Sequence, residues 1–342
     1  MKSSFKKGKT LTQEEIVDQV QRLLEESGSK ALEMARQAVL EEKIECKEVR
    51  EALKYFMTEY WHDLARPALL SLTCKAVGGD PNITTPIAIP MILINGAIDI
   101  HDDIIDQSKM KGSRPTVLGK FGKDIALLVG DALLFKGLTM LIEAIKKEYP
   151  TEKGLVIVNV LKEMFFELGD AEALELQFRG RINVTPDEYL LVVRKKAADV
   201  EAHTRISGVL GNGTKNEIEA LARYGRLLGM LIILQDDLRD IFDFEEFSHR
   251  ISKESLPLPV FYALQKPSFK SKIIPTLQKK MITKEDLQRL FDAVKRADGL
   301  DHVQEVIQKL MHDAEGCLEI VGRDKTLELL RFITFFAPTN GD

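Results

Sequence analysis

Two acidic motifs of the same form, each following an apolar stretch, constrain the fold of this chain more than any other feature. Residues 102–106 read Asp-Asp-Ile-Ile-Asp and follow an apolar run at 91–98, and residues 236–240 read Asp-Asp-Leu-Arg-Asp and follow one at 227–234. Helices that are apolar nearly all round lie inside a structure. Because residues three and four apart share a helix face, each motif directs carboxylates to one side. The sequence therefore predicts two buried helices with acidic ends.

Five aspartates in these motifs are candidate metal ligands. Facing carboxylates repel one another unless a cation lies between them. Mg²⁺ binds oxygen ligands, commonly one or two carboxylates completed by water and substrate phosphate. An apolar pocket behind such a site suits a ligand with a hydrocarbon tail and a diphosphate head. A solvated acidic face is the alternative, and the apolar runs before both motifs argue against it. The candidates are Asp102, Asp103, Asp106, Asp236 and Asp240.

The rest of the chain has a helical pattern broken by glycine and proline, with few alternating strand patterns. At 342 residues and 44% hydrophobic composition, it can build one large core. We therefore expect an all-α fold, a single large helical bundle around a central apolar cavity, over residues 1–342. Residues 1–10, basic and polar, are expected to form a frayed tail.

Charge, cysteines and hydropathy limit the partners and the location. A net charge of −5 argues against general nucleic-acid binding. Three scattered cysteines, Cys46, Cys74 and Cys317, indicate reduced thiols and a cytoplasmic protein. The longest apolar run, at 87–98, has the length of a buried core helix, so no transmembrane segment is expected. A hydrocarbon ligand could still bring the protein to a membrane surface, for instance to release product.

Cations near the motifs are candidates for binding a diphosphate. Lys111 and Arg114 follow the first motif and Arg250 follows the second, while Lys196 precedes two alanines on a helix whose other face looks buried. Ammonium and guanidinium groups both stabilise phosphate oxygens. The chemistry expected of such a site is ionisation of an allylic diphosphate, with the carbocation sheltered by apolar walls. This chemistry needs no nucleophilic side chain, which fits the absence of an evident Ser/His/Asp or Cys/His arrangement.

The motifs, in their order and spacing, resemble those of the trans-isoprenyl diphosphate synthases, the polyprenyl synthetase family. This resemblance implies the isoprenoid synthase fold, a homodimer, three Mg²⁺ per site, and head-to-tail condensation of an allylic diphosphate with isopentenyl diphosphate. The segments that carry it are residues 66–67, 78–80, 102–106, 115–116, 130–134, 196–198 and 236–240.

By position in the family motifs, the resemblance implies a role for each candidate. Asp102 and Asp106 correspond to ligands of two Mg²⁺ and Asp236 to the main ligand of the third, with Asp103 and Asp240 in support. Lys111 and Lys196 correspond to cations on the allylic diphosphate. On the isopentenyl side, the matching residues are Arg66 and Asn95.

Several positions depart from the family pattern, mostly on the isopentenyl side. A family lysine is replaced by Asp63, a charge reversal, and the second arginine of a pair is Gly112. Arg114 is a candidate substitute for the lost cation. The remaining departures are Leu118, Ala197 and the pair Ile232 and Ile233.

Three functions stay open at this point. The chain is an elongating prenyltransferase with a rearranged second-substrate site, a class I terpene synthase-like enzyme that needs no isopentenyl diphosphate, or a non-catalytic regulatory subunit of a related synthase. Intact metal residues argue against the third. Ala97 and Ile98 precede the first motif by about one turn, where they would face down the cavity. A small Ala97 leaves room for a product of C20 or longer.

Overall fold

The computed structural model describes residues 13–279 and 282–322 together with positions 326, 328, 329 and 332. The predicted tail at 1–10 lies outside this part. What is described is almost entirely helical, which confirms the all-α prediction. The helices are α1 Gln13–Leu40, α2 Lys47–Tyr55, α3 Ala65–Ala76, α4 Thr85–Asp106, α5 Val117–Phe121, α6 Lys123–Glu148, α7 Thr151–Phe178, α8 Pro186–Lys196, α9 Ala198–Leu210, α10 Lys215–Asp240, α11 Phe244–Lys253, α12 Leu258–Leu264, α13 Pro267–Leu277, α14 Lys284–Arg296 and α15 Gly299–Val321, with a π-helical turn at Phe56–Tyr60 and a 3₁₀ turn at Pro81–Thr84.

Local sequence signals explain where several helices begin. Thr185 accepts a hydrogen bond from the backbone N–H of Glu188, whose carboxylate accepts one from the backbone N–H of Thr185, so α8 starts at a capping box. Thr214 and Glu217 form the same arrangement at α10. Such caps satisfy N–H groups that have no partner inside the helix and contribute about 1 kcal/mol each.

Helix α4 lies at the centre of one apolar cluster, and α10 at the centre of another. Helix α6 packs along α4, and α9 contacts α3, α7 and α10. Gly137 allows the close approach of α6 to α4, because a Cβ there would lie 2.7 Å from the Ile94 side chain and 2.9 Å from the Pro90 oxygen. The two apolar helices are central, as their sequences predict.

Both acidic motifs end their helices. Helix α4 stops at Asp106 because Gln107 adopts a left-handed conformation with φ of 58°. The chain then forms a short antiparallel hairpin, β1 Met110–Lys111 with β2 Arg114–Pro115. This hairpin returns Lys111 to α4, where its Nζ lies 2.8 Å from Asp99 Oδ1.

Two helical stretches are long and apolar enough to cross a membrane by length and composition alone, Pro81–Asp106 and Lys123–Glu148. The most apolar window of the first is 72% buried in the fold, as expected for a core helix, whereas that of the second is 33% buried. Helix α6 therefore leaves an apolar face uncovered, which includes Leu127, Leu128, Phe135 and Ile142. Neighbouring α7 adds Leu155, Val156, Val158 and Phe166.

Candidate active site

A cavity of about 500 Å³ lies where the ends of α4 and α10 approach α7, α8 and α11. It is lined by Asp102 and Asp106 from the first motif and by Asp236 and Asp240 from the second. The fold thus brings both predicted acidic ends to one space. Carboxylates outnumber cations in the lining. Besides the four aspartates, the acidic lining residues are Glu175, Asp237, Asp243, Glu246 and Glu254, and the cationic ones are Lys111, Lys196, Arg239 and Arg250.

Asp102 has no hydrogen bond or salt bridge to any described side chain. Burial raises the pKa of its carboxyl group, and the nearby Asp99 and Glu175 raise it further, while Lys196 and Lys111 oppose them. A carboxylate that is withdrawn from water without a partner favours a bound cation. Asp102 is therefore well suited to bind a metal ion.

Asp106 faces the same cavity but already has a cationic partner. Its Oδ1 accepts a hydrogen bond of 2.7 Å from Nη2 of Arg179, which follows α7. Burial, Asp102 and Glu254 together raise the pKa of Asp106 to about 8. Arg179 could not be recognised from the sequence, because a lone arginine after a helix carries no signal for its partner.

Asp103 does not line the cavity, so its placement does not support the predicted role of metal ligand. Successive residues on a helix point about 100° apart, and this step turns Asp103 away from Asp102. Asp103 is 1% exposed and its Oδ1 lies 3.0 Å from Nζ of Lys111. Burial raises its pKa to about 7. Its position suits a support for Lys111, which is held between Asp99 and Asp103.

The second motif divides its carboxylates in a similar way. Asp236 lies at the cavity with its Oδ1 3.0 Å from Nη1 of Arg239, and burial raises its pKa. Asp240 also lines the cavity. Asp237 also borders the cavity but is 1% exposed, and Tyr189, Arg250 and the backbone N–H of Leu258 donate to it.

Arg250 was predicted to bind the allylic diphosphate, but its guanidinium is committed to protein groups. Its Nη2 donates to Asp237 and Tyr189, and its Nη1 donates to Asp240 at 2.7 Å. The side chain is 9% exposed. These bonds hold Arg250 against the end of α10 at the edge of the cavity, and the predicted contact with the allylic diphosphate stays a prediction.

Lys196 lies at the cavity between two glutamates of α7. Its Nζ is 2.8 Å from Glu172 Oε1 and also contacts Glu175. Although burial opposes ionisation of the lysine, Glu175, Asp102 and Glu172 keep its pKa above the ordinary value. Burial raises the pKa of Glu172 to about 7, whereas Lys196 and Arg250 outweigh burial at Glu175 and lower its pKa to about 2. The spacing of these glutamates, three apart on an apolar helix, was the overlooked sequence signal.

The donor set fits divalent cations. Four carboxylates from opposite helices share one cavity, and one of them, the partly buried Asp102, has no salt bridge within the described residues. Within residues that the structure describes, no three His, Cys, Asp or Glu side chains are close enough to hold an ion by themselves. Magnesium commonly binds one or two protein carboxylates and completes its shell with water and substrate phosphate.

Comparison with known proteins identifies the family. Residues 47–294 match the model of the polyprenyl synthetase family. This chain belongs to that family. The prediction of a trans-prenyltransferase of the polyprenyl diphosphate synthase type is thereby confirmed.

Relatives and solved structures agree with this membership. The chain is 32% identical over 213 residues to a short chain isoprenyl diphosphate synthase of Methanothermobacter thermautotrophicus, covering 60% of this chain and 64% of the relative, slightly under two thirds of its length. It is 28% identical to a geranylgeranyl diphosphate synthase of Methanosarcina mazei, over 75% of this chain and 79% of the relative. A geranylgeranyl pyrophosphate synthetase structure from Pyrococcus horikoshii superposes with a TM-score of 0.81 at 25% identity, over 95% and 99% of the two chains.

The predicted second-substrate residues of this polyprenyl synthetase are not gathered in the cavity. Arg66 donates from Nε to Asp199 and from Nη1 to Asp63. Asn95 is buried and contacts the His203 ring. Arg114 is exposed, and its Nη1 donates to the Glu59 oxygen at 3.3 Å. Asp199 and His203 escaped the sequence analysis because their partners lie more than 100 residues away.

The predicted chain-length residues lie inside the apolar core. Ala97 is fully buried, Ile98 packs against the same cluster, and neither lines the described cavity. The preceding Gly96 lies against Phe56, since a Cβ there would be 2.8 Å from that ring. These positions remain a prediction about the space below the metal site.

His101 has a structural partner rather than a metal-binding arrangement. Its Nε2 lies 3.3 Å from Asp131 Oδ1. Gly130 leaves room for the imidazole, because a Cβ there would lie 2.6 Å from Nε2. The Gly130-Asp131 pair therefore serves the packing of α6 on α4.

Proposed function

We propose that this polyprenyl synthetase catalyses Mg²⁺-dependent condensation of an allylic prenyl diphosphate with isopentenyl diphosphate. The observation that carries the proposal is the sharing of one cavity by Asp102, Asp106, Asp236 and Asp240, with Lys196 beside them. Family membership supports the same chemistry. The predicted count of three magnesium ions is part of the proposal.

In this proposal the chain's own residues orient the leaving diphosphate. Asp102 and Asp236 hold the cations from opposite helices, and Lys196 and Lys111 supply fixed positive charge. Bound magnesium would neutralise the diphosphate as it leaves the allylic carbon. The apolar side chains in the cavity lining, Val192, Val193 and Ile233, would keep water from the resulting carbocation. No side chain needs to act as a covalent nucleophile.

A second candidate is a class I terpene synthase-like enzyme that uses the allylic diphosphate alone. It is favoured by one observation, the pairing of Arg66 with Asp63 and Asp199. The third hypothesis is a non-catalytic regulatory subunit, and the acidic cavity argues against it.

Incubation with farnesyl diphosphate and Mg²⁺, with and without labelled isopentenyl diphosphate, separates these functions. A longer labelled diphosphate supports elongation. A hydrocarbon or alcohol formed without the second substrate supports the terpene synthase-like reading. No turnover alone, together with altered product in a mixture with a related synthase, supports the regulatory subunit.

A product of C20 or longer is also proposed, on the basis of the small Ala97 one turn before the first motif. Chromatography of products dephosphorylated after the same incubation measures their length. Products no longer than C15 would contradict the proposed product length.

A homodimer is proposed through the uncovered apolar face of α6 and α7. Exposed apolar patches of this kind mark interaction sites, and a second copy would cover Phe135 and Phe166, which are 69% and 77% exposed. Sedimentation of wild type and of Phe135→Lys tests it. A monomeric wild type would refute the dimer.

The cytoplasmic location is retained as a proposal. The three cysteines are free, as expected for reduced thiols. Cell fractionation tests the location, and a stable membrane-bound pool would point to release of product at the membrane surface.

A further inference from the structure

Arg66 lies in a cluster of three charged side chains, here called the Arg66 cluster and made of Asp63, Arg66 and Asp199. Arg66 Nε lies 2.6 Å from Asp199 Oδ2, and its Nη1 lies 3.1 Å from Asp63 Oδ2. The side chains of Asp63 and Asp199 are 7% and 11% exposed, while that of Arg66 is 33% exposed. Water can reach the guanidinium, but both carboxylates lie largely beneath it.

The Arg66 cluster is connected to the elements that build the cavity. Asp199 comes three residues after Lys196, across the junction of α8 and α9. The carbonyl oxygen of Asp199 is 2.8 Å from His203 Nδ1, and His203 Nε2 is 3.1 Å from Asn95 Nδ2. Asn95 lies on α4, about two turns before Asp102. The cluster is therefore linked through His203 and Asn95 to α4, the helix that carries Asp102.

Charge within the cluster disfavours an anionic ligand. Two carboxylates share one guanidinium, and Asp199 Oδ1 has no hydrogen bond within the described residues, although it lies 3.4 Å from Nδ1 of His203. Asn95 Oδ1, nearby on α4, also lacks one. An incoming diphosphate on Arg66 would meet two carboxylates and acceptor oxygens in place of free donors. Repulsive elements of this kind set specificity by weakening one ligand relative to another.

We propose that the carboxylates of Asp63 and Asp199 compete with the diphosphate of the acceptor substrate for the Arg66 guanidinium. This competition weakens and restricts binding of the acceptor substrate and leaves binding of the allylic substrate unaffected. This inference rests on the proposed function and extends it to specificity. Asp63 and Asp199 are specificity-determining residues in this account, and Arg66 is the group whose charge they offset.

Asp63 also has a structural role that the experiment must preserve. Its Oδ1 accepts hydrogen bonds from the backbone N–H groups of Ala65 and Arg66 at the start of α3. Asparagine caps helices as well as aspartate does. Asp63→Asn therefore retains the cap and removes the charge. Asp80→Asn is the matched control, because Asp80 caps the 3₁₀ turn at Pro81–Thr84 and has no salt bridge within the described residues.

The test is calorimetric titration of wild type, Asp63→Asn and Asp80→Asn with isopentenyl diphosphate, together with KM for each substrate. Asp63→Asn should bind isopentenyl diphosphate about tenfold more tightly, the scale of one charged hydrogen bond. KM for farnesyl diphosphate should stay within about twofold of wild type, since uniform effects on both substrates would signal a changed fold. Asp80→Asn should match wild type throughout.

A second variant tests whether the tighter binding of isopentenyl diphosphate depends on the Arg66 guanidinium. In the Asp63→Asn background, Arg66→Gln should abolish the added affinity. Unchanged or weaker binding by a folded Asp63→Asn would overturn the inference, and weaker binding would show that Asp63 positions Arg66 for the acceptor. Failure of the proposed function looks different, because wild type would then form no elongated diphosphate from farnesyl diphosphate and isopentenyl diphosphate, while the titration would still report on the cluster.

Discussion

Neighbouring aspartates of the first motif should respond very differently to loss of charge. Asp102 faces the cavity without a partner, whereas Asp103 lies behind it against Lys111. Asp102→Asn removes a cation ligand from the cavity, and Asp103→Asn removes one of two carboxylates that hold a lysine. The contrast tests the placement of each side chain rather than the motif as a whole.

The expected magnitudes follow from these positions. A unit charge about 4 Å from a cation contributes about 4 kcal/mol at an effective dielectric constant of about 20. Losing that in the transition state lowers kcat about a thousandfold. At Asp103, Lys111 keeps its contact with Asp99 and is 44% exposed, so solvent screens much of the loss. We expect Asp103→Asn to lower kcat about tenfold.

The assay is turnover of farnesyl diphosphate with labelled isopentenyl diphosphate over a range of Mg²⁺ concentrations. Asp102→Asn should also need more Mg²⁺ for half-maximal activity, and circular dichroism should report an intact helical fold. Equal losses in both variants, or activity of Asp102→Asn within about tenfold of wild type, would refute the assignment of roles.

Four further outcomes are expected. Asp236→Asn should lose activity on the scale of Asp102→Asn, and near-normal turnover would contradict its role. Ala97→Phe should shorten the product by filling space below the metal site, as chromatography of dephosphorylated products would report; unchanged length would defeat the idea. Because burial raises the pKa of Asp103 from 3.8 to about 7, the folded state binds that proton more tightly, so stability should fall between about pH 4 and 7 and fall less in Asp103→Asn by urea unfolding. Mg²⁺ with pyrophosphate should raise the melting temperature more than either alone.

Long-range periodicity made the fold predictable. The apolar side chains before the two motifs required burial away from water. In the structure they belong to α4 and α10, at the centres of the two apolar clusters. Capping residues such as Thr185 marked a helix start because the signal lies within one turn. The apolar runs and the acidic motifs at their ends together predicted that the two motifs meet at one cavity.

The partners of the charged residues were less predictable, because they depend on helix rotation and on distant segments. The sequence placed both Asp102 and Asp103 among the candidate metal residues, with Asp103 in support, and only the packing of α4 decides which one faces the cavity. Arg250 looked available after the second motif, yet the turn into α11 directs it at Asp237 and Asp240. The partner of Arg66 is Asp199, 133 residues further along the chain.

The packing of α4 and α10 in the apolar core explains how a surplus of carboxylates is held together at the cavity. Asp102, Asp106, Asp236 and Asp240 sit on the ends of helices that the apolar core holds in place, so their repulsion cannot be relieved by moving apart. Burial raises the pKa of Asp102, Asp106 and Asp240, which means that these ionised carboxylates destabilise the protein without a cation, while water screens Asp236, whose side chain is 55% exposed. A bound cation removes that repulsion, so affinity for metal and instability of the metal-free protein have one origin. Neutral substitutions such as Asp102→Asn should therefore weaken metal binding and stabilise the metal-free fold together.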